Sequence, residues 1–533
     1  MRRTIILLEV ALLCSILPVI YAAVEPDSPE CSDAFISHDL AHTTTIHGDV
    51  VRFFESNGSG LAINDLNNDG LLDVVLGNLN GANTLLWNEG DLNFRAQDFA
   101  TTGHTRAITT VDVDRDGWLD IVLTTQTGTP SYWHNNGDES FTLEALDGVN
   151  RPAYTLNWAD VDADGDLDLV TGSYDAELSQ LLRDTFLFSG GAGVIYYENR
   201  DGTFVATRLA EDAQALAMWL SDLDGDGYID LVVGNDFSVP DQSWSYIEGR
   251  WEASSLLPVT TYSTMSFDAG DINNDGTAEF FAADMHPYSD DPETMRAWQP
   301  VLDDLERVPT LAGNRQVLEN VLLTRTNDSE FHNDAAAFGI AATGWSWSGK
   351  FGDLNNDGYL DLYVVNGMTA EELFPQLENY ELVEANQAFR GNGGTGFIPA
   401  PEWQLGSTRS GRGMGMADLD NDGDVDIVVN NLNTPSQLFE NDLCGGNSLQ
   451  VELRQANVQN SYGLGARLTL YTSGGTYSRD MRAISGYLSG DPARVHFGFP
   501  QDSELYRLEV QWTDGAISTI DSFDTQHVLT ITR

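Results

Sequence analysis

Asp65-Leu-Asn67-Asn-Asp69-Gly70-Leu-Leu-Asp73 opens a pattern that returns six more times along the chain. It recurs as Asp112-Val-Asp114-Arg-Asp116-Gly-Trp-Leu-Asp120, Asp160-Val-Asp162-Ala-Asp164-Gly-Asp-Leu-Asp168 and Asp222-Leu-Asp224-Gly-Asp226-Gly-Tyr-Ile-Asp230. Asp271-Ile-Asn273-Asn-Asp275-Gly-Thr-Ala-Glu279, Asp353-Leu-Asn355-Asn-Asp357-Gly-Tyr-Leu-Asp361 and Asp418-Leu-Asp420-Asn-Asp422-Gly-Asp-Val-Asp426 complete the set. Successive starts lie 47, 48, 62, 49, 82 and 65 residues apart. The shorter intervals match a four-stranded propeller blade, and the longer ones predict insertions.

Positions 1, 3 and 5 set three short side-chain oxygens around one tight turn. Glycine at 6 permits the bend, position 7 offers a carbonyl, and position 9 returns a carboxylate. Such an all-oxygen set suits calcium, which takes six to eight hard ligands, better than magnesium, which keeps much of its water. An EF-hand starts alike but needs a glutamate at position 12. Here that position holds Leu76, Leu123, Thr171, Val233, Ala282, Val364 or Val429, and a β-type run follows. Single Asp-Gly turns are common; seven with an acidic ninth residue predict up to seven Ca2+ ions whose first role is structural.

Each loop runs into a short, β-branched, apolar segment, such as Asp-Val-Val-Leu at 73–76, which reads as a strand buried on both faces. Aromatic strands and polar turns ending in Phe then predict hairpins, as from Trp87 to Phe94. The expected fold is therefore all-β: a seven-bladed β-propeller over 31–443, followed by a small C-terminal β-domain over 445–533. The seventh blade lacks an outer strand, which the segment around Ile36 to Ile46 is expected to supply, removing an open edge. Cys31 and Cys444 flank these two pieces and are predicted to form a disulfide across the closure.

The 82 acidic residues face only 26 basic ones, a formal charge of −56 that argues against a nucleic-acid partner. Arg2 and Arg3, the apolar run from Ile5 to Ile20 and the small pair Ala22–Ala23 read as a signal peptide over 1–23, with an N-terminal anchor helix as the alternative. The expected location is secreted, periplasmic or cell surface, with no membrane span after cleavage. No His-Glu-x-x-His, Gly-x-Ser-x-Gly or Cys/His zinc spacing occurs, and most acidic pairs belong to the loops.

The blades resemble FG-GAP/VCBS repeats. Thr343-Gly-Trp-Ser-Trp347, Ser410-Gly-Arg-Gly-Met-Gly-Met-Ala-Asp418, Gly463-Leu-Gly-Ala-Arg467, Ser485-Gly-Tyr-Leu-Ser489, Val495-His-Phe-Gly498 and Val510-Gln-Trp-Thr-Asp-Gly515 further resemble the ASPIC/UnbV (cartilage acidic protein-like) family. The resemblance implies an extracellular or periplasmic calcium-binding protein with a role in adhesion or matrix binding. A few similar cyanobacterial propellers are calcium-dependent alkylating enzymes.

Ligands of propellers sit at the channel mouth. The inner strands should precede the loops, which makes Arg106, Trp158, Trp219, Trp345, Trp347, Arg409 and Arg412 candidate ligand-binding residues. Packing between blades is the competing role for the tryptophans. Two main functions follow: an adhesion module for an extracellular protein or glycan, or a calcium-dependent enzyme taking a small-molecule ligand at the channel mouth. A purely structural surface protein is the third.

Overall fold

A computed structural model describes residues 31–48, 51–100, 103–177, 192–237, 239–305, 307, 315–325, 330–456, 458–523 and 528–533. The predicted signal peptide, residues 1–23, lies outside them. The chain is a nearly all-β propeller. Its innermost strands are Leu61–Asn64, Thr105–Val111, Thr155–Ala159, Ala215–Ser221, Ser266–Gly270, Gly344–Gly352 and Gly411–Ala417. Each packs beside the next, and the last beside the first, so the ring closes. Each begins a four-stranded antiparallel unit, as in Leu61–Asn64, Asp73–Leu76, Asn83–Asn88 and Phe94–Phe99. The apolar second strands are wholly buried because neighbouring sheets cover both faces.

In the last unit the outer strand comes from the start of the chain. Ala34–Thr43 pairs antiparallel with Pro435–Asp442, from Ala34 opposite Asp442 to Thr43 opposite Pro435. Cys31 and Cys444 are disulfide-bonded beside this pairing, with Cα atoms 5.5 Å apart. First and last strands are thus tied twice, by a ladder and by a covalent bond.

The acidic loops join first to second strands, so all seven lie on one face of the ring. Second-to-third connections emerge on the opposite face. Three of these are long: 173–193, 284–320 and 367–386. They account for the three long sequence intervals. The second carries the helix Pro292–Leu305, whose Trp298 is fully buried and donates from Nε1 to Glu384 at 2.9 Å.

Beyond Cys444 the chain builds a three-stranded sheet centred on Asn447–Arg454 and a four-stranded sheet containing Arg467–Thr472 and Leu505–Gln511. Their apolar faces share one core with the second and third blades, where Trp158, Leu169, Phe497 and Trp512 are buried together. Between the sheets a hairpin, Ile484–Ser485 paired with Ser489–Gly490, leaves this unit and enters the ring. It bridges two inner strands, Gly490 pairing with Ala62 and Ser489 with Ile108. Gly60 lets it approach: a Cβ there would stand 1.9 Å from the Leu488 carbonyl oxygen.

Candidate metal loops and the opposite face

In each loop two residues adopt left-handed backbone. The glycine at position 6 has φ between 87° (Gly117) and 102° (Gly423), and position 4 has φ between 53° (Asn356) and 77° (Gly225). Asn, Gly, or at some cost Arg115 and Ala163, occupy position 4; this requirement was overlooked in the sequence, although Asn and Gly there are its signal. The turn aims the glycine N–H at the first aspartate, from Gly70 to Asp65 at 2.8 Å and from Gly276 to Asp271 at 2.9 Å. The ninth carboxylate is held from two sides. Asp73 accepts N–H bonds from Leu66 at 3.0 Å and Asn88 at 2.8 Å; Asp426 accepts them from Leu419 and Asn441, both at 2.9 Å.

These contacts gather carboxylates that repel one another. Ligand oxygens of Asp112, Asp114 and Asp120 lie within 4.8 Å of each other, as do those of Asp160, Asp162 and Asp164, of Asp222, Asp224 and Asp230, and of Asp418, Asp420 and Asp426. In the other three loops Asn67, Asn273 and Asn355 take the third position, their amides donating to Asp69 at 2.9 Å, to Glu279 at 3.0 Å and to Asp357 at 3.1 Å. Burial, reinforced by like charge, raises Asp73 and Asp120 to about 7 and Asp168 and Glu279 to about 8; the same causes raise Asp361 and Asp426 well above the ordinary carboxylate range. Buried carboxylates need a paired charge or a metal. An all-oxygen donor set of this charge fits a hard divalent cation of the calcium type.

The C-terminal unit lies against this face and touches the loops at fixed places. Ser461 Oγ donates to Asp112 at 2.7 Å, Thr513 Oγ1 to Asp160 at 3.0 Å, and Gln450 Nε2 to Asp418. Other groups cap the carbonyl of the loop glycine: Arg494 at Gly70, Tyr462 at Gly117, the Gln459 and Asn460 N–H groups at Gly165, Arg467 at Gly276 and His496 at Gly423. The Gly446 N–H reaches the Asn355 carbonyl of the sixth loop at 3.2 Å, so six of the seven loops are held from above. Both oxygens of each first aspartate accept hydrogen bonds, as Asp65 does from the Asp69 N–H at 3.1 Å and the Gly70 N–H at 2.8 Å.

The candidate ligand residues separate into three places. Trp158 and Trp219 are at the loop-side ends of their strands, buried beneath the C-terminal unit, with Arg482 5.0 Å over the Trp219 ring. They are packing residues, away from the opposite channel mouth. Arg409 pairs with Asp39 at 2.6 Å on the closure between first and last strands. Arg106, Trp347 and Arg412 each stand six residues ahead of a first aspartate and converge inside the ring, Trp345 two residues earlier on its strand. The same offset selects Ser59, Tyr154, Leu216 and Met265, and this periodicity was the available signal for the inner collar.

Tyr487, from the inserted hairpin, occupies the collar. Its ring lies 5.1 Å from Trp347, and Arg412 stacks on the other aromatic at 4.0 Å from the centroid. Arg412 is fully buried and donates to the Ser56, Gly367 and Gly411 carbonyls; burial lowers it to about 9. Arg106, 2% exposed, pairs with the equally buried Glu177 at 2.7 Å. Two arginines and tyrosines thus do converge, but in solid packing. On the face beyond, a cavity of about 250 Å3 opens between the ring and the helix Pro292–Leu305, with Trp345 and Trp347 in its wall.

Comparison with known families matches the FG-GAP-like repeat at residues 65–123, 112–171, 222–282 and 380–429, and the ASPIC and UnbV family at 457–533. No curated protein matches the chain. Among solved structures, the chain is similar to BBS1N in complex with ARL6DN, at 9% identity and TM-score 0.43, covering 76% of this chain and 96% of that one. It is similar to the BP39L lectin from Burkholderia pseudomallei at 11% identity and TM-score 0.45, with 72% and 95% covered. A fungal lectin from Aleuria aurantia, described as a six-bladed β-propeller, matches at 10% identity and TM-score 0.31, with 64% and 94% covered. The repeats in the ring and the domain seated on its loops agree with the families their residues resemble: the chain is an FG-GAP-repeat β-propeller protein carrying an ASPIC and UnbV domain.

Proposed function

We propose that the chain is an exported, calcium-stabilised binding module that recognises an extracellular protein or glycan through the face opposite its loops. One observation carries the reading: the C-terminal unit covers the loop face, whereas the described residues of the three long connections leave the ring on the other side. Tyr288, Leu318 and Val383, on two of those connections, expose 38%, 40% and 60% of their surface. Exposed apolar side chains grouped on one face suit partner contact. The loops then serve as a scaffold, their carboxylates held ready for cations while calcium supplies the missing positive charge. A catalytic role at Arg106 and Arg412 would require the Tyr487 hairpin to withdraw, since Arg106 is paired with the buried Glu177 and Arg412 with three buried carbonyls.

The test uses the full mature chain on arrays of extracellular matrix proteins and glycans, with calcium and with chelator. Binding that weakens at least about tenfold in Tyr288→Glu plus Val383→Glu, but not in Tyr506→Glu on the C-terminal unit, supports the reading. Binding unaffected by the first pair refutes it. Chelation should also lower the melting temperature, because each site held tenfold above its Kd adds about 1.4 kcal/mol. An unchanged melting temperature would refute the calcium scaffold.

A further inference from the structure

The cavity on the open face has an unusual wall. Phe53, Phe237, Trp345 and Trp347 supply aromatic surface, while Asp236, Asp284 and Asp304 bring carboxyl groups, the last paired with Arg307 at 2.6 Å, and no described basic residue lines the cavity. Asp236 and Asp284 are 4% and 2% exposed. Asp284 accepts N–H bonds from Tyr262 at 2.8 Å, Ser263 at 3.1 Å and Met285 at 2.6 Å. Asp236 accepts from the Tyr174 hydroxyl at 2.5 Å and the Phe237 N–H at 2.8 Å. All five donors are neutral, and among the described residues neither carboxyl forms an ion pair. Arg412 stacks on Trp347 but does not line the cavity.

Buried carboxylates are ordinarily paired with a cation, and these two are not. Aromatic faces attract cations through their quadrupoles, by an amount that grows as water is excluded. Carboxylates and aromatic faces around one enclosed space therefore select the same ligand feature: a positive charge with an apolar covering. A metal ion would find too few oxygens and too much hydrocarbon here. A buried, unpartnered donor, Trp345 Nε1, belongs to the same wall and offers a hydrogen bond to an acceptor on the ligand. We propose that this cavity binds a small organic ammonium group, its charge set against Asp236 and Asp284 and among the four aromatic rings. The inference rests on the reading of the open face as the binding face and names the chemistry that face selects.

The experiment titrates the calcium-loaded full chain with choline and with its neutral isostere 3,3-dimethylbutan-1-ol, following tryptophan fluorescence and heat. Choline should saturate with a Kd at or below roughly 1 mM, and the isostere should bind at least about tenfold more weakly. Phe237→Ala should weaken choline by about tenfold while its melting temperature shows that it remains folded. Equal binding of both probes would make the cavity merely apolar and overturn the proposal, as would no saturable binding of choline. If array binding through the open face survives while choline fails, only the ammonium inference falls. If array binding is absent while choline saturates, the macromolecular reading falls instead.

Discussion

The hydroxyl oxygen of Tyr487 accepts a hydrogen bond from the Gly58 N–H at 2.9 Å, across 429 residues of sequence. This bond fastens the C-terminal hairpin to the first blade at the centre of the ring. Tyr487→Ala should cost about 3–5 kcal/mol, since it leaves a large hole where seven strands converge. Tyr487→Phe, which keeps the volume and removes one bond, should cost about 1 kcal/mol. Urea denaturation monitored by tryptophan fluorescence separates the two.

Ser461 and Gln450 hold first-position aspartates of the second and seventh loops from the C-terminal side. Groups that orient a metal ligand tune its affinity by about 10–100-fold. Calorimetric titration of Ser461→Ala plus Gln450→Ala should show weakened calcium binding at about two sites, with the remaining sites unchanged. Wild-type affinities throughout would mean that these contacts only dock the two units.

The Arg106–Glu177 pair can be broken from one side or removed whole. Arg106→Ala leaves a buried carboxylate without its partner and should cost about 3–5 kcal/mol. Arg106→Met with Glu177→Leu should recover most of that loss, because two apolar groups avoid the desolvation of two charges. Chemical denaturation of the three proteins gives the comparison directly.

Glu384 accepts the Trp345 N–H at 2.6 Å and the Trp298 Nε1–H at 2.9 Å, and burial raises it from 4.5 to about 7. With its folded pKa above the unfolded one, the folded state holds the proton longer. Its contribution is therefore fully present below about pH 4.5 and lost as pH rises towards 7. Glu384→Gln cannot ionise, so its stability relative to wild type should rise by about 1–3 kcal/mol between pH 4.5 and 7, then level off. A difference that stays flat across this window would contradict the assignment.

The loops were legible in the sequence because their geometry is local. Asp65, Asp69 and Gly70 bond to one another within five residues, and Asp73 alone reaches further, to Asn88. The strands after them were legible for the same reason, being apolar runs punctuated by turns. Which end of the channel a side chain occupies was harder, since it depends on distance along the strand from the loop. Trp158 is two residues ahead of Asp160 and faces the C-terminal unit; Arg412 is six ahead of Asp418 and faces the collar. The entry of Tyr487 had no local mark at all. Ser485-Gly-Tyr-Leu-Ser489 identifies a family segment, but only the assembled ring shows that it has a hole to fill.

The pairing of Ala34–Thr43 with Pro435–Asp442 also sets a schedule for the molecule's making. At ribosomal rates of about 5–20 residues per second, roughly 20–80 s pass between synthesis of the two partners. Throughout that time the growing chain carries an unfinished edge at each end and a vacant centre. An arc of blades can form during synthesis, but it becomes a ring only when the seventh blade arrives, and the hairpin stopper is made later still. Translation arrested between these two events would yield a closed yet hollow propeller, a product open to quality-control proteases although most of its blades are complete.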